Sequence, residues 1–351
     1  MTGTSGVLPD WSRAFGAPPV HGAIRVEIED FRVEEIPLIT PLGEGTHLWL
    51  EIEKHNANTD WVARQLAVLA GVPGRDVGYA GMKDRRGVTS QWFSVALQEA
   101  RNAAWQDWDI PDAVILSATL HNRKLKRGAL RGNRFRIVVR NLEGPPDRLE
   151  ERLQNVRAEG VPNYFGPQRF GHGGRNVSQG VHWLEHGGRL PRNKKSIYIS
   201  AVRSFLFNEL VSRRIDLGSW NRIIDGDIAS LDGSHSTFPC SMPDPELVRR
   251  CNEFDIHPSG PLPGRGSPVR EGESAEIENS VMQPYQALIS GLEKAGLNAA
   301  RRPMRLVPGA MKWAFEEAGL VLEFELASGG YATSVLRELV TTDTATISEK
   351  G

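Results

Sequence analysis

Residues 78–93 read GYAGMKDRRGVTSQWF, and this stretch constrains the fold more tightly than any other. Gly78, Gly81 and Gly87 punctuate it, which is the pattern of a tightly turned loop where positive φ costs little. The residues that follow, Val88 to Val95, are rich in β-branched and aromatic types and predict a strand entering a core. At the centre of the loop stands Asp84, between Lys83 and the pair Arg85, Arg86, neighbours that favour its charged form. Carboxylates in such turns ordinarily bond local backbone N–H groups. The stretch alone therefore leaves a capping role open beside a catalytic one.

The surrounding pattern predicts a sheet with helices. Residues 23–36, AIRVEIEDFRVEEI, alternate with period two and predict a strand pair, and THLWLEIEK at 46–54 predicts another strand. Asn58-Thr59-Asp60 offers a cap for the amphipathic helix WVARQLAVLAG, closed by Gly71. A helix is expected from Gly144-Pro145-Pro146-Asp147 to about Glu159, where Gly160-Val161-Pro162 breaks it. The segment 163–176, NYFGPQRFGHGGRN, shows no period and lacks the lysine-serine ending of a Walker loop. Residues 176–305 lean towards helix, the longest being KKSIYISAVRSFLFNELVSRRI at 194–215. A further helix is expected over about 281–296, and Pro- and Gly-rich loops over 255–270. GLVLEFEL at 319–326 predicts a strand, and SGGYATSVLRELV a turn and helix. Residues 1–22, rich in Gly and Pro, are expected to cross the surface as an extended lead-in. This order suits an α+β domain interrupted by an inserted second domain, and 351 residues suffice for two cores.

Charge is the next guide. The net charge is only −1, so nucleic-acid binding has to rest on local patches. Residues 121–140, HNRKLKRGALRGNRFRIVVR, hold eight Lys or Arg and no acid. Such runs are commonly solvated faces, but this one ends in an alternating strand whose arginines share a face, which favours contact with phosphates. Arg123, Lys124, Lys126, Arg127 and Arg131 are the candidates there, with Arg169, Arg175, Lys194 and Lys195 beside glycines further on. Cys240 and Cys251 form no CxxC, and His172, His182 and His186 have no second ligand pair, so neither a disulfide framework nor a metal site is expected. No apolar run reaches membrane-spanning length and residues 1–20 lack a leader pattern, so the cytoplasm is the expected location.

Five strings in order carry a resemblance: EDF at 29–31, GxKDxxxxTxQW from Gly81, RGNRF at 131–135, VPNYFGPQRFG at 161–171 and GGYATSVLREL at 329–339. Together they resemble the TruD family of tRNA pseudouridine synthases. The resemblance implies a pseudouridine-synthase catalytic domain with a mixed sheet, in residues 1–158 and 306–351. Into it a family-specific α/β domain is inserted at 159–305. It implies isomerisation of uridine 13 of tRNA, with tRNA as partner and neither cofactor nor metal; apart from the resemblance, nothing in the sequence suggests an obligate protein partner, so a monomer is expected. Asp84 takes the catalytic position, Phe31, Asn133 and Tyr331 line the uridine pocket, and Phe135, Lys83 and Arg25 join them as substrate-binding candidates.

The types fit the chemistry. An aromatic face replaces stacking lost by an extruded base, worth roughly 1–3 kcal/mol, and Asn133 offers both donor and acceptor. Tyr331 stands where the family also carries Phe, Arg25 where it also carries Lys, and Gly87 where Ala is common, which is expected to loosen the loop. The competing reading is a tRNA-binding or folding factor without catalysis. A metal-dependent nuclease would need clustered carboxylates, which the Asp84 motif lacks.

Overall fold

The computed structural model describes residues 8–96, 104–266 and 271–342. The chain begins with β1 (Val20–Ile24), β2 (Phe31–Pro37), β3 (His47–His55), α1 (Thr59–Leu69), β4 (Val77–Tyr79), β5 (Val88–Ala96), β6 (Ala113–His121) and β7 (Leu130–Glu143). It continues through α2 (Pro146–Glu159), β8 (Val161–Pro162), α3 (Arg175–His186), α4 (Arg192–Asp216), β9 (Asp227–Leu231), β10 (Thr237–Cys240), α5 (Pro245–Asn252) and β11 (Ile256–Leu262). Then come α6 (Glu273–Met282), α7 (Gln286–Lys294), β12 (Ala300–Pro303), β13 (Arg305–Leu306), β14 (Gly309–Glu316), β15 (Gly319–Ala327), α8 (Ala332–Leu339) and β16 (Val340–Thr342).

These elements form two compact units. Of the described residues, the sheet unit holds those within 19–146, 308–330 and 340–342, and the helical unit those within 8–18, 147–307 and 331–339. In the sheet unit the strands run β14-β15-β7-β2-β5-β3-β6, with β1 joining β7 and β16, and β4 joining β5. Pairs β2·β5 and β1·β16 are parallel and the rest antiparallel, so the sheet is mixed. Val62 and Leu66, one helical turn apart, put α1 onto a core with Leu50, Ile52, Phe93 and Val95. All six are fully buried, and each such side chain stabilises the fold by roughly 1.5–3 kcal/mol.

The helical unit is built on α4, whose Val202, Leu206, Phe207 and Leu210 lie in one apolar cluster. It also holds the antiparallel sheet β10-β9-β11-β12 and the short pair β13·β8.

Three expectations need correcting. The lead-in is anchored from residue 8 on, for Trp11 packs against Tyr164, Phe170 and Phe205 and donates to Glu209; residues 1–7 lie outside the described residues. Residues 256–262, expected as loop, form β11, because pairing with β9 and β12 overrides the turn preference of its prolines; residues 267–270 of that expected loop lie outside the described residues. The helix expected over 281–296 is broken by a 3₁₀ turn at Gln283–Tyr285, where Pro284 interrupts the backbone ladder.

Candidate active site

Asp84 stands on the connection between β4 and β5, in the sheet unit. Two of the three glycines there are required by close approach. A Cβ on Gly78 would meet the Leu125 carbonyl oxygen at 2.3 Å, and one on Gly87, where φ is +145°, would meet the Phe31 oxygen at 2.4 Å. Gly87 therefore fits the loop against β2 rather than loosening it. Gly81 has only ordinary contacts around it.

The loop is stitched to its surroundings by polar groups, of which Thr59, Gln91 and Lys54 are buried. Thr59 Oγ1 accepts from the Lys83 amide at 3.1 Å and donates to Gln91 Oε1 at 2.8 Å, while Gln91 Nε2 donates to the Gly81 carbonyl at 3.0 Å. The Asn56 amide donates to the Gly87 carbonyl at 3.1 Å, and Arg85 Nε to the Asn56 carbonyl at 3.3 Å. Lys54, fully buried on β3, donates to the carbonyls of Ala57 at 2.7 Å and Asp84 at 2.9 Å. Burial pushes its ammonium down to about 8, against the opposing pull of Asp84.

The charge partner of Asp84 differs from the sequence expectation. Arg25 Nη2 donates to Asp84 Oδ2 at 2.5 Å, and its guanidinium lies 3.9 Å from the centre of the Phe31 ring. Lys83 turns away, into a pair with Glu35 at 2.6 Å whose side chains are 5 % and 1 % exposed, and Arg86 donates to the Arg25 carbonyl. Sequence neighbours of a loop residue diverge in direction, so the cation that faces Asp84 comes from 59 positions away. Asp84 itself stays 36 % exposed.

Phe31 is buried against Phe135, at 6.3 Å between rings, and Phe135 stacks on Phe324 at 5.4 Å. Asn133 lies directly opposite Glu35 across β2 and β7, and its Oδ1 is buried with no hydrogen-bond partner. An orphan buried acceptor is costly unless a ligand completes it.

The basic run divides into three parts. Leu125 is buried beside Trp49 and Ala80, fixing residues 121–131 next to the stem of the Asp84 loop. Arg123, Lys126, Arg127 and Arg131 are exposed there; Arg127 lies over the Tyr79 ring at 4.9 Å, and the Lys124 amine donates to the Arg75 carbonyl. Arg134 and Arg136 share a face as expected, but glutamates on flanking strands balance them: Glu34 and Glu325 for Arg134, Glu323 for Arg136. Cross-strand neighbours are invisible in a linear count of charge. Arg140 is bound to the buried Asp30, whose carboxyl burial would raise but the arginine's hydrogen bonds hold below its usual range.

The remaining candidates belong to the helical unit. Arg169 donates to the Tyr331 hydroxyl at 2.8 Å and to Ser200 Oγ at 3.0 Å, and the Tyr331 and Phe165 rings are 6.2 Å apart. Arg175 and Lys194 are exposed, and Lys195 lies 4.5 Å from the Trp183 ring centre. His182 and His186 stack on one face of α3.

With this geometry in place, the comparisons are decisive about lineage. The family described as tRNA pseudouridine synthase D (TruD) matches residues 13–182 and 175–339. The chain belongs to the TruD family. It is 48 % identical over 336 residues to the tRNA pseudouridine synthase D of Methylococcus capsulatus, covering 95 % of both chains. It is 44 % identical to the protein of that name from Nitrosococcus oceani, covering 94 % of both. The fold is similar to the crystal structure of the putative tRNA pseudouridine synthase D from Methanosarcina mazei. There the TM-score is 0.73 at 24 % identity, over 97 % of this chain and 98 % of that one.

Lys54 and Glu35 are functional neighbours that sequence pattern alone did not single out, yet a signal was present. In β3 the inward positions run Leu50, Ile52, Lys54, and in β2 Phe31, Val33, Glu35. A charged residue on the apolar face of an alternating strand marks a buried group that needs a partner.

Proposed function

We propose that this TruD-family chain isomerises a uridine of tRNA to pseudouridine, at position 13, with Asp84 as the catalytic carboxylate and no cofactor. The observation that supports it best is the partly exposed Asp84, bonded to Arg25 and latched into the sheet unit through its loop. A group held in this way arrives at a substrate without reorganising. The reaction breaks the N1–C1′ bond, turns the base and joins C5 to C1′; N1 gains a hydrogen as C5 loses one, so no co-reactant is needed. Attack of Asp84 on C1′ and removal of a sugar proton both require that carboxylate charged and aimed.

In this reading the orphaned Oδ1 of Asn133 accepts a hydrogen bond from the extruded uridine. Phe31 and Phe135 shape the floor of the pocket, and Tyr331, in the helical unit, offers an aromatic face to the tRNA. Arg25 and Lys83 hold the loop in register. Arg123, Lys124, Lys126, Arg127 and Arg131 contact tRNA phosphates, joined by Arg175, Lys194 and Lys195, while Arg169 acts by bracing Tyr331. The protein works as a cytoplasmic monomer. Among the described residues no helix is long and apolar enough to cross a membrane.

The test is a pseudouridine assay on unmodified tRNA transcripts in EDTA, with wild type and Asp84→Asn side by side. Product at position 13 from wild type alone is expected. Product from both proteins would remove Asp84 from the chemistry, and tRNA binding without product from either would favour a binding factor.

A further inference from the structure

Lys54 is the residue of the sheet unit that its surroundings explain least as packing. Its side chain is fully buried, and lysines are almost never fully buried unless a carboxylate pairs with them. Among the described residues no carboxylate lies within ion-pair reach of it; its ammonium donates to two main-chain carbonyls, those of Ala57 and Asp84. A hydrophobic side chain at the same inward position of β3 would fill the space without the cost of desolvating a charge. What the ammonium adds is a tie between the turn that opens α1 and the residue that carries the carboxylate. The Asn56–Gly87 and Arg85–Asn56 hydrogen bonds join the same two segments, so Lys54 closes a stitch that sets the height of the loop.

We infer that Lys54 is a positioning residue for Asp84, its buried ammonium fixing the Asp84 main chain while its charge stays beyond ion-pair reach of the carboxylate. The inference rests on the pseudouridine-synthase reading above. Asp84 is then held from two sides: Arg25 grips its carboxylate, and Lys54 grips its carbonyl. The charged groups that face Lys54 are Asp84 and Lys83 on the loop, with Arg25 and Glu35 bound to those two in turn.

Stability and catalysis should then respond to pH in opposite directions. The folded chain loses the Lys54 proton near 8, because burial disfavours the ammonium, whereas an unfolded chain keeps it to about 10.4. Between those values the folded state binds fewer protons than the unfolded one, so this group's contribution to stability rises with pH. Its hold on Asp84 weakens over the same range. A lysine that served packing alone would show the first effect without the second.

The experiment measures single-turnover pseudouridine formation and tRNA affinity for wild type and Lys54→Met. Lys54→Met should fold, bind tRNA within about threefold of wild type, and turn over roughly a hundredfold more slowly, the cost of a small misplacement of a catalytic group. The wild-type rate should fall about tenfold between about pH 7 and about pH 9, and the rate of Lys54→Met should not follow that fall. A folded Lys54→Met that turns over within about threefold of wild type, or that keeps the wild-type pH profile, would overturn the inference. If Lys54→Met does not fold, Lys54→Gln takes its place and is read by the same criteria of turnover, tRNA affinity and pH profile. Absence of product from wild type at every pH would overturn the parent reading and this inference together.

Discussion

Two arginine–aspartate pairs in this molecule show what separates a structural ion pair from a poised one. In the helical unit Arg214 and Asp227 are both fully buried and bond through both carboxylate oxygens, at 2.8 and 2.9 Å. Every need around them is met: Arg214 also donates to the carbonyls of Ser219 and Arg222, and Asp227 also accepts from Ser274 and the Ile224 amide. In the sheet unit Arg25 and Asp84 meet through a single contact, with Asp84 36 % exposed. Arg25 Nε is buried without a partner and so is Asn133 Oδ1, on the neighbouring strand system. The first pair is closed and can only hold structure. The second keeps hydrogen-bonding capacity unused, which is costly in an apo protein and useful when a ligand arrives.

Asp84→Asn should lower pseudouridine formation by on the order of a thousandfold or more while leaving the unfolding temperature nearly unchanged; a large fall in melting temperature would make Asp84 a structural residue like Asp227. Arg214→Met should do the reverse. It strands a buried carboxylate, so chemical denaturation should report a loss of about 3–5 kcal/mol, with the turnover of the surviving folded protein intact. A loss below about 1 kcal/mol would show that the closed pair contributes little beyond its desolvation cost.

Arg25→Met sharpens the contrast. A partly exposed single-contact pair adds less to stability than a closed buried one, so thermal melts should move only a little, whereas turnover should drop roughly tenfold to a hundredfold as Asp84 loses its aim. Equal effects on both would erase the distinction between the pairs. The smallest effect is expected from Tyr331→Phe, which removes the acceptor of one Arg169 hydrogen bond and leaves the one to Ser200. A weakening of tRNA affinity worth about 0.5–1.5 kcal/mol, read from binding curves, would match that loss. A fall in turnover beyond about tenfold would instead place the hydroxyl on the substrate.

Much of the fold was legible because local periodicity suffices for elements with one buried face. The strands β2, β3, β5, β7 and β15 and the helices α1, α2, α4 and α8 lie where alternation or 3.6-residue spacing put them. The failures share a cause as well. β11 carries Pro258 and Pro261 and reads as loop until β9 and β12 offer it partners. The basic strand reads as an unbalanced cationic face until Glu34, Glu323 and Glu325 stand across from it.

By itself, then, the sequence determined the family, the periodic strands and helices around the Asp84 loop, and that loop itself, since ordered motifs and turn chemistry are properties of adjacent residues; the sheet β10-β9-β11-β12, inside a stretch that reads as helix, was not among them. Tertiary structure alone decided which charges meet. It turned Lys83 to Glu35, brought Arg25 to Asp84, gave the Tyr331 hydroxyl to Arg169, and buried Lys54 against two carbonyls. The physical reason is range. Chain neighbours set φ, ψ and period, whereas the partner of a buried charge is whichever group the packed fold delivers to within about 3 Å.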